Sequence, residues 1–330
     1  MAVSQYQVSR DAAAALHEFS EEMSEALVLG EITPWATDFG FTRTTDAPKT
    51  TFPIPLHALK YQEYSGDMKY QSLYHRSLSM IGKEWQAGVE EKASIIEAPD
   101  FIDWAGAPAV LAQEWLRLPN EVVAGLLAQD TGNGPVLNFY RDADSGVQEN
   151  RRMFAADHPY NVLKTSLGTF DNTHECTEAE IADGTVYKEL NAKFRAMKGP
   201  NGKNLGLQFL NGGRILNPAA LENNFFESLK QDTVVRVLTE GVTTQKNLYT
   251  GISNTTADEL TRDADFYAFA PKRNGLHSWV VQTQGSPEER IFDKSSEFYR
   301  NTNRVKVAYI GSMNAAMALP HGVIRVRVTG

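Results

Sequence analysis

The stretch APAVLAQEWLRLPNEVVAGLLAQ, residues 107–129, decides how this chain is built. Val110, Leu111, Trp115, Leu118, Val122 and Leu126 recur mostly at three- and four-residue steps, the period of one face of an α-helix. Gly106 breaks the chain before the run, and Pro108 falls in the first turn, where a missing N–H is tolerated. Pro119 removes the donor that would satisfy the Trp115 carbonyl, so a kink is expected there. Thr131-Gly132-Asn133-Gly134-Pro135 ends the run. The product is one helix of about 23 residues and about 35 Å, roughly twice the ordinary length.

Upstream, Ser9 to Leu29 reads as an amphipathic helix, with Leu16, Phe19, Met23 and Leu27 on one face and Glu18, Glu21, Glu22 and Glu25 on the other. It is either an ordinary surface helix or an arm that docks on a neighbouring subunit. From Gly30 to Pro55 periodicity vanishes, and Pro34, Pro48, Pro53 and Pro55 argue against a helix or a central strand. Two extended runs follow. One begins at Met68 and reaches His75; the other holds Trp85 and Val89 and continues to Ile95-Ile96. A two-stranded hairpin made of them is marginal alone in water, so something must cover it. Its aromatics, Tyr70, Tyr74 and Trp85, suit either their own domain or an interface.

Downstream, turn signals alternate with short elements. Val186–Met197 and Ala219–Lys230 read as helices, and Phe209, Leu210, Ile215 and Leu216 as short strands around Asn211-Gly212-Gly213. The tail is strand-rich: Val305, Val307 and Tyr309 alternate with Lys306, and Ile324, Val326 and Val328 with Arg325 and Arg327. No β-α-β alternation appears, which favours an α+β fold over a doubly wound sheet.

Composition narrows function. The chain has 330 residues, is 42% hydrophobic, carries a net charge of −9 and has one cysteine, Cys176. Its apolar runs are too short for a membrane span, and its N-terminus lacks the pattern of a secretory signal. One cysteine cannot form an internal disulfide, and a reducing compartment is expected. An acidic chain with scattered basic residues is a poor candidate for sequence-specific nucleic-acid binding, although an acidic shell can enclose DNA.

A phosphate loop, a dinucleotide fingerprint and a nucleophile elbow are all absent from the sequence. Asp157-His158 with His174-Glu175-Cys176 has zinc-type donors, but the spacing is poor and no third group orients a Cys–His pair. Asp263 and Asp265 read as an acidic surface loop. No catalytic residue, cofactor or metal is expected.

Four stretches, in order, resemble the Mu-like major head subunit family of tailed phages. The first runs from Gln62-Glu63-Tyr64-Ser65-Gly66 through Lys83-Glu84-Trp85-Gln86-Ala87-Gly88-Val89 to Glu97-Ala98-Pro99-Asp100-Phe101. The second is the end of the long helix, Leu118 to Leu127, and the third is Met153-Phe154-Ala155-Ala156-Asp157-His158-Pro159. The fourth joins Phe292-Asp293, Phe298-Tyr299-Arg300, Val305-Lys306-Val307 and Ala318-Leu319-Pro320-His321-Gly322.

This resemblance implies a Hong Kong 97-type capsid fold. It divides the chain into an N-terminal arm (1–32), an extended loop and flanks (33–97), a peripheral domain with the spine helix (98–134), a mainly axial domain (135–287) and return strands (288–330). It implies a non-enzymatic shell subunit that forms hexamers and pentamers, encloses double-stranded DNA, and works with a scaffolding protein, a portal and a possible decoration protein. The segment before the loop is short, so the scaffold is expected as a separate chain, and an uncleaved N-terminus is expected. Virion localisation after assembly in the host cytoplasm follows, with no membrane. Tyr64, Met68, Tyr70, Tyr74, Trp85, Phe19 and Met23 are the expected inter-subunit contacts. The alternatives are an encapsulin-like nanocompartment shell, a Cys/His hydrolase, and another virion component such as a tail sheath.

Overall fold

The computed structural model describes residues 12–30, 34–45, 47–55, 75–97, 106–129, 141–142, 151–161, 164–230, 233–238, 241–272 and 276–329. Helices α1 (Ala12–Leu29), α2 (Trp35–Phe39), α3 (Ala93–Ile96) and α4 (Ala107–Gln129) precede α5 (Glu178–Asp183), α6 (Thr185–Ala196), α7 (Glu222–Phe225) and α8 (Glu297–Thr302). The early strands are β1 (Phe41–Thr44), β2 (Lys49–Pro55), β3 (His75–Ile81), β4 (Lys83–Lys92), β5 (Arg141–Asp142), β6 (His158–Pro159), β7 (Thr169–Phe170) and β8 (Thr173–Cys176). The later ones are β9 (Arg214–Pro218), β10 (Thr233–Leu238), β11 (Gly241–Lys246), β12 (Ser253–Ala257), β13 (Asp265–Phe269), β14 (Trp279–Thr283), β15 (Glu288–Phe292), β16 (Arg304–Met317) and β17 (Val323–Val328).

Helix α4 runs unbroken through Pro119 over the bounds that its periodicity predicts. Its inner face meets α1 and β16. Strand β16 is the axis of the first sheet: its 14 residues alternate half-buried and buried along their whole length, as a strand with one covered face must. It pairs antiparallel with β4, from Arg304↔Lys92 to Met313↔Lys83, and on its other side with β15 and then β14. A second five-stranded sheet has the order β12-β9-β13-β17-β8. Strands β13 and β14, close in sequence, belong to different sheets, so the chain crosses between the layers there.

Three clusters of buried side chains result. One lies between the second sheet and α5–α7, with Tyr187, Phe194, Phe209, Phe225 and Phe266 fully buried. Another joins α2 and α4 to both sheets around Trp279. The third packs Leu16, Phe19 and Met23 of α1 on Val305, Val307 and Tyr309 of β16.

Several expectations are corrected. Of the first extended run, residues 68–74 lie outside the described residues; β3, which starts at His75, pairs with β2 while β4 pairs with β16, so these two strands form no hairpin with each other. Long-range pairing with a fourteen-residue strand satisfies more backbone than a lone hairpin could. Ile95 and Ile96 belong to α3 and continue no strand. The proline-rich segment forms α2, β1 and β2; β1 and β2 each end a sheet, where proline is tolerated. Phe209 and Leu210 lie in a turn closed by Gly213 N–H donating to the Phe209 carbonyl (2.9 Å).

Candidate assembly surfaces

Helix α2 is only five residues long, and tertiary contacts hold it. Pro34 precedes its first turn with φ −61°, and the Thr37 hydroxyl donates to the Pro34 carbonyl (2.8 Å). Ala36 N–H donates to Asn120 Oδ1 of α4 (3.0 Å), and Trp279 Nε1 of β14 donates to the Ala36 carbonyl (2.7 Å). Trp35 Nε1 donates to Glu259 Oε2 (2.9 Å), and Asn120 Nδ2 to Glu259 Oε1 (3.3 Å). Gly40 ends the helix where a Cβ would stand 2.3 Å from the Trp279 ring. Asp38 accepts from Lys272 Nζ (2.5 Å) and Arg214 Nη1 (3.1 Å). The clasp thus ties the long helix to both sheets.

Burial pushes the carboxyls of Asp38 and Glu259 upward, and their partners more than reverse it. Lys272 and Arg214 hold Asp38 below its ordinary 3.8; Trp35, Asn120 and Arg117 hold Glu259 below 4.5. A depressed folded-state pKa contributes stability that is fully present above the unfolded value and is lost as pH falls through the folded one. Acid unfolding is therefore expected to steepen below about pH 4. Glu259→Gln should give a shallower acid limb in chemical unfolding measured from pH 7 to pH 3. An unchanged limb would show that the clasp carries no such linkage.

The expected contact residues divide. Tyr64, Met68, Tyr70 and Tyr74 lie outside the described residues. Phe19 and Met23, 3% and 1% exposed, are buried in their own subunit, which corrects their assignment as inter-subunit contacts. The periodic stripe of α1 marked an internal core, because β16 and α4 offered it a matching apolar face. Trp85 is half-buried and donates from Nε1 to the Met313 carbonyl (2.9 Å). With Met23, Leu111, Trp115, Leu118 and Tyr309 it lines a groove of about 140 Å³.

Sequence reading missed a different set. Val28 (85%) and Leu29 (76%) are exposed at the end of α1, Ile81 at the β3–β4 junction, Phe226 after α7 and Leu248 (77%) after β11. Val28 and Leu29 lie off the Leu16-Phe19-Met23 stripe, and that was the available signal. The other three have none, since their exposure depends on packing.

The His and Cys residues are engaged singly. His158 is fully buried, with Nε2 3.0 Å from the Met153 carbonyl and its ring stacked on Phe170. His174 pairs with Glu189 at 3.0 Å. Burial, with Glu180 and Glu189, pushes the Cys176 thiol up to about 12, so the thiolate that a nucleophile needs is disfavoured. Among the described residues no three His, Cys, Asp or Glu side chains are grouped to hold a metal, and no helix is long and apolar enough to cross a membrane. Iodoacetamide at pH 8 should leave Cys176 unmodified in the native protein and label it in urea. Rapid native labelling would revive the thiol reading.

No protein-family profile and no curated protein matches the chain. Solved structures do. The capsid of cyanophage P-SCSP1u aligns over 91% of this chain and 89% of its own, with 10% identity and a TM-score of 0.52. The procapsid of bacteriophage JBD30 aligns over 96% and 75%, with 13% identity and a TM-score of 0.52. The capsid of Ralstonia phage GP4 aligns over 88% and 87%, with 12% identity and a TM-score of 0.52. At such identities the likeness is one of fold: this chain has the Hong Kong 97-type capsid fold.

Proposed function

We propose that the chain is the major capsid protein of a tailed bacteriophage, self-assembling as hexamers and pentamers into an icosahedral head around double-stranded DNA. The observation that carries this reading is the near-complete alignment of its fold with phage capsid structures. The resemblance of the four ordered motifs supports a kinship with the Mu-like major head subunits. In this reading β4, β16 and α4 form the peripheral domain, and the second sheet with α5–α7 the axial domain. A separate scaffolding protein, a portal and a possible decoration protein complete assembly in the host cytoplasm, and the product is the virion shell. Its role is structural and not enzymatic.

Exposed apolar side chains support association, since a shell lattice covers surface that a free subunit leaves in water. Val28, Leu29, Ile81, Phe226 and Leu248 join Trp85, Tyr64, Met68, Tyr70 and Tyr74 as proposed contacts. Negative-stain microscopy of the chain, expressed alone and with its neighbouring genes, tests the proposal. Closed particles or free capsomers support it, and enclosed DNA favours a phage head over a cargo compartment. A monodisperse monomer under both conditions would sink it.

A further inference from the structure

We propose that one end of the second-sheet domain is a non-specific contact site for the phosphate backbone of duplex DNA, an inference that rests on the shell reading only for its source of DNA. The chain is acidic as a whole, yet no Asp or Glu occurs between Asp157 and Asp171 or between Glu189 and Glu222. The fold brings these two carboxylate-free stretches together. Asn161 Nδ2 donates to the Pro200 carbonyl (3.0 Å), and a Cβ on Gly202 would lie 3.2 Å from Leu167 Cδ2. Lys198 Nζ stands 5.9 Å from the centre of the Tyr160 ring.

Four of the six Lys and Arg residues in the two stretches lie at or next to this junction, while Arg214 is engaged with Asp38 and Lys193 with Asp171. Lys164 leads into the turn Thr165–Leu167 that packs on Gly202. Arg195 lies in the last turn of α6, three residues before Lys198. Lys198 bridges to Asn204, and Gly199 N–H donates to the Lys203 carbonyl (2.8 Å), so Lys203 returns beside Lys198. Lys164 and Arg195 are exposed, Lys198 and Lys203 half-exposed.

The rest of the face has the same character. Thr165, Ser166, Thr169, Asn201, Asn204 and Gln208 are exposed around these cations. Hydroxyl and amide side chains with Lys and Arg are the groups that contact phosphate and sugar without reading bases. Among the described residues, none of the exposed large hydrophobics falls within either stretch. A protein partner is normally anchored by buried aromatic or aliphatic side chains, so a polyanion fits this face better than a protein does. Lys193 takes no part, because its ammonium is paired with Asp171 (2.7 Å). The acidic remainder of the surface repels DNA and leaves this face as the local point of attraction.

The test uses the full-length chain as free subunits or capsomers and a fluorescein-labelled random-sequence 30-base-pair duplex. Anisotropy titrations run from 25 to 200 mM NaCl. Binding should weaken with salt, and replacing Lys164, Arg195, Lys198 and Lys203 together by Gln should cut the log–log slope by about 3.6. The same charge removed at Lys49, Lys92, Arg290 and Arg300 should leave most of the slope. An unchanged slope in the first variant, equal losses in both, or absence of salt-dependent binding would overturn the proposal. Displacement of the duplex by poly-glutamate as readily as by unlabelled duplex would also overturn it, in favour of an acidic protein partner. Thermal melts of the variants separate lost binding from lost folding. Microscopy of the same preparation separates the two proposals, since a subunit that binds duplex but never forms particles fails only the shell reading.

Discussion

Trp279→Ala is expected to destabilise the subunit by about 3–5 kcal/mol, the range for emptying a large aromatic site in a core. The side chain is fully buried and stands edge-on to Trp35 at 6.1 Å and to Phe269 at 5.4 Å. Truncation removes those contacts and the indole hydrogen bond, leaving the Ala36 carbonyl with the Gly40 N–H (3.1 Å) as its remaining donor. The damage then spreads, because Ala36 also holds Asn120 of α4, and Asn120 and Trp35 share Glu259. Trp279→Phe keeps most of the volume and loses the hydrogen bond, so a smaller cost of about 1–3 kcal/mol is expected. Urea unfolding of unassembled subunits measures both. A loss below about 1 kcal/mol for the alanine variant would mean that the clasp does not hold the two sheets together.

Gly311→Val should be nearly as severe, for the opposite reason. Gly311 lies in β16 directly beneath Trp115 of α4, and an added Cβ would sit 2.3–2.9 Å from three atoms of the indole ring. The ring has no easy retreat: Trp115 Nε1 donates to the Gly285 carbonyl (2.8 Å), and Trp85 is the strand neighbour of Gly311. Overpacking of this kind typically costs about 1–3 kcal/mol, and breaking the indole hydrogen bond adds to it. The long helix must lift from β16 or the indole must leave its site. Trp115→Ala in the Gly311→Val background should recover part of the loss, giving a coupling of about 1 kcal/mol or more in a double-mutant cycle. Simple additivity would show that the helix rests on β16 without this contact.

Much of the fold was legible because its signals are local. The stripe from Val110 to Leu126 fixed α4 and its length, since a 3.6-residue period survives whatever it packs against. The alternation of Val305, Val307 and Tyr309 fixed β16 in the same way. The four ordered motifs led to the fold that the capsid structures share. At the candidate interface, the sequence marked Trp85 by its chemistry but could not tell an outward stripe from an inward one. Phe19 and Met23 were misplaced for that reason.

Sequence by itself thus determined the long helix, the alternating tail strands and the acidic net charge. Tertiary structure alone decided that β4 would pair with β16, that Pro53 and Pro55 would sit in an edge strand, and that α2 would clasp Asn120 and Trp279. It alone set Lys164 beside the Lys198–Lys203 turn and left Leu248 in water. Period and turn chemistry are written into a few consecutive residues. Strand partners, shared charges and exposure depend on which distant segments meet, and that is settled by the packing of the whole chain.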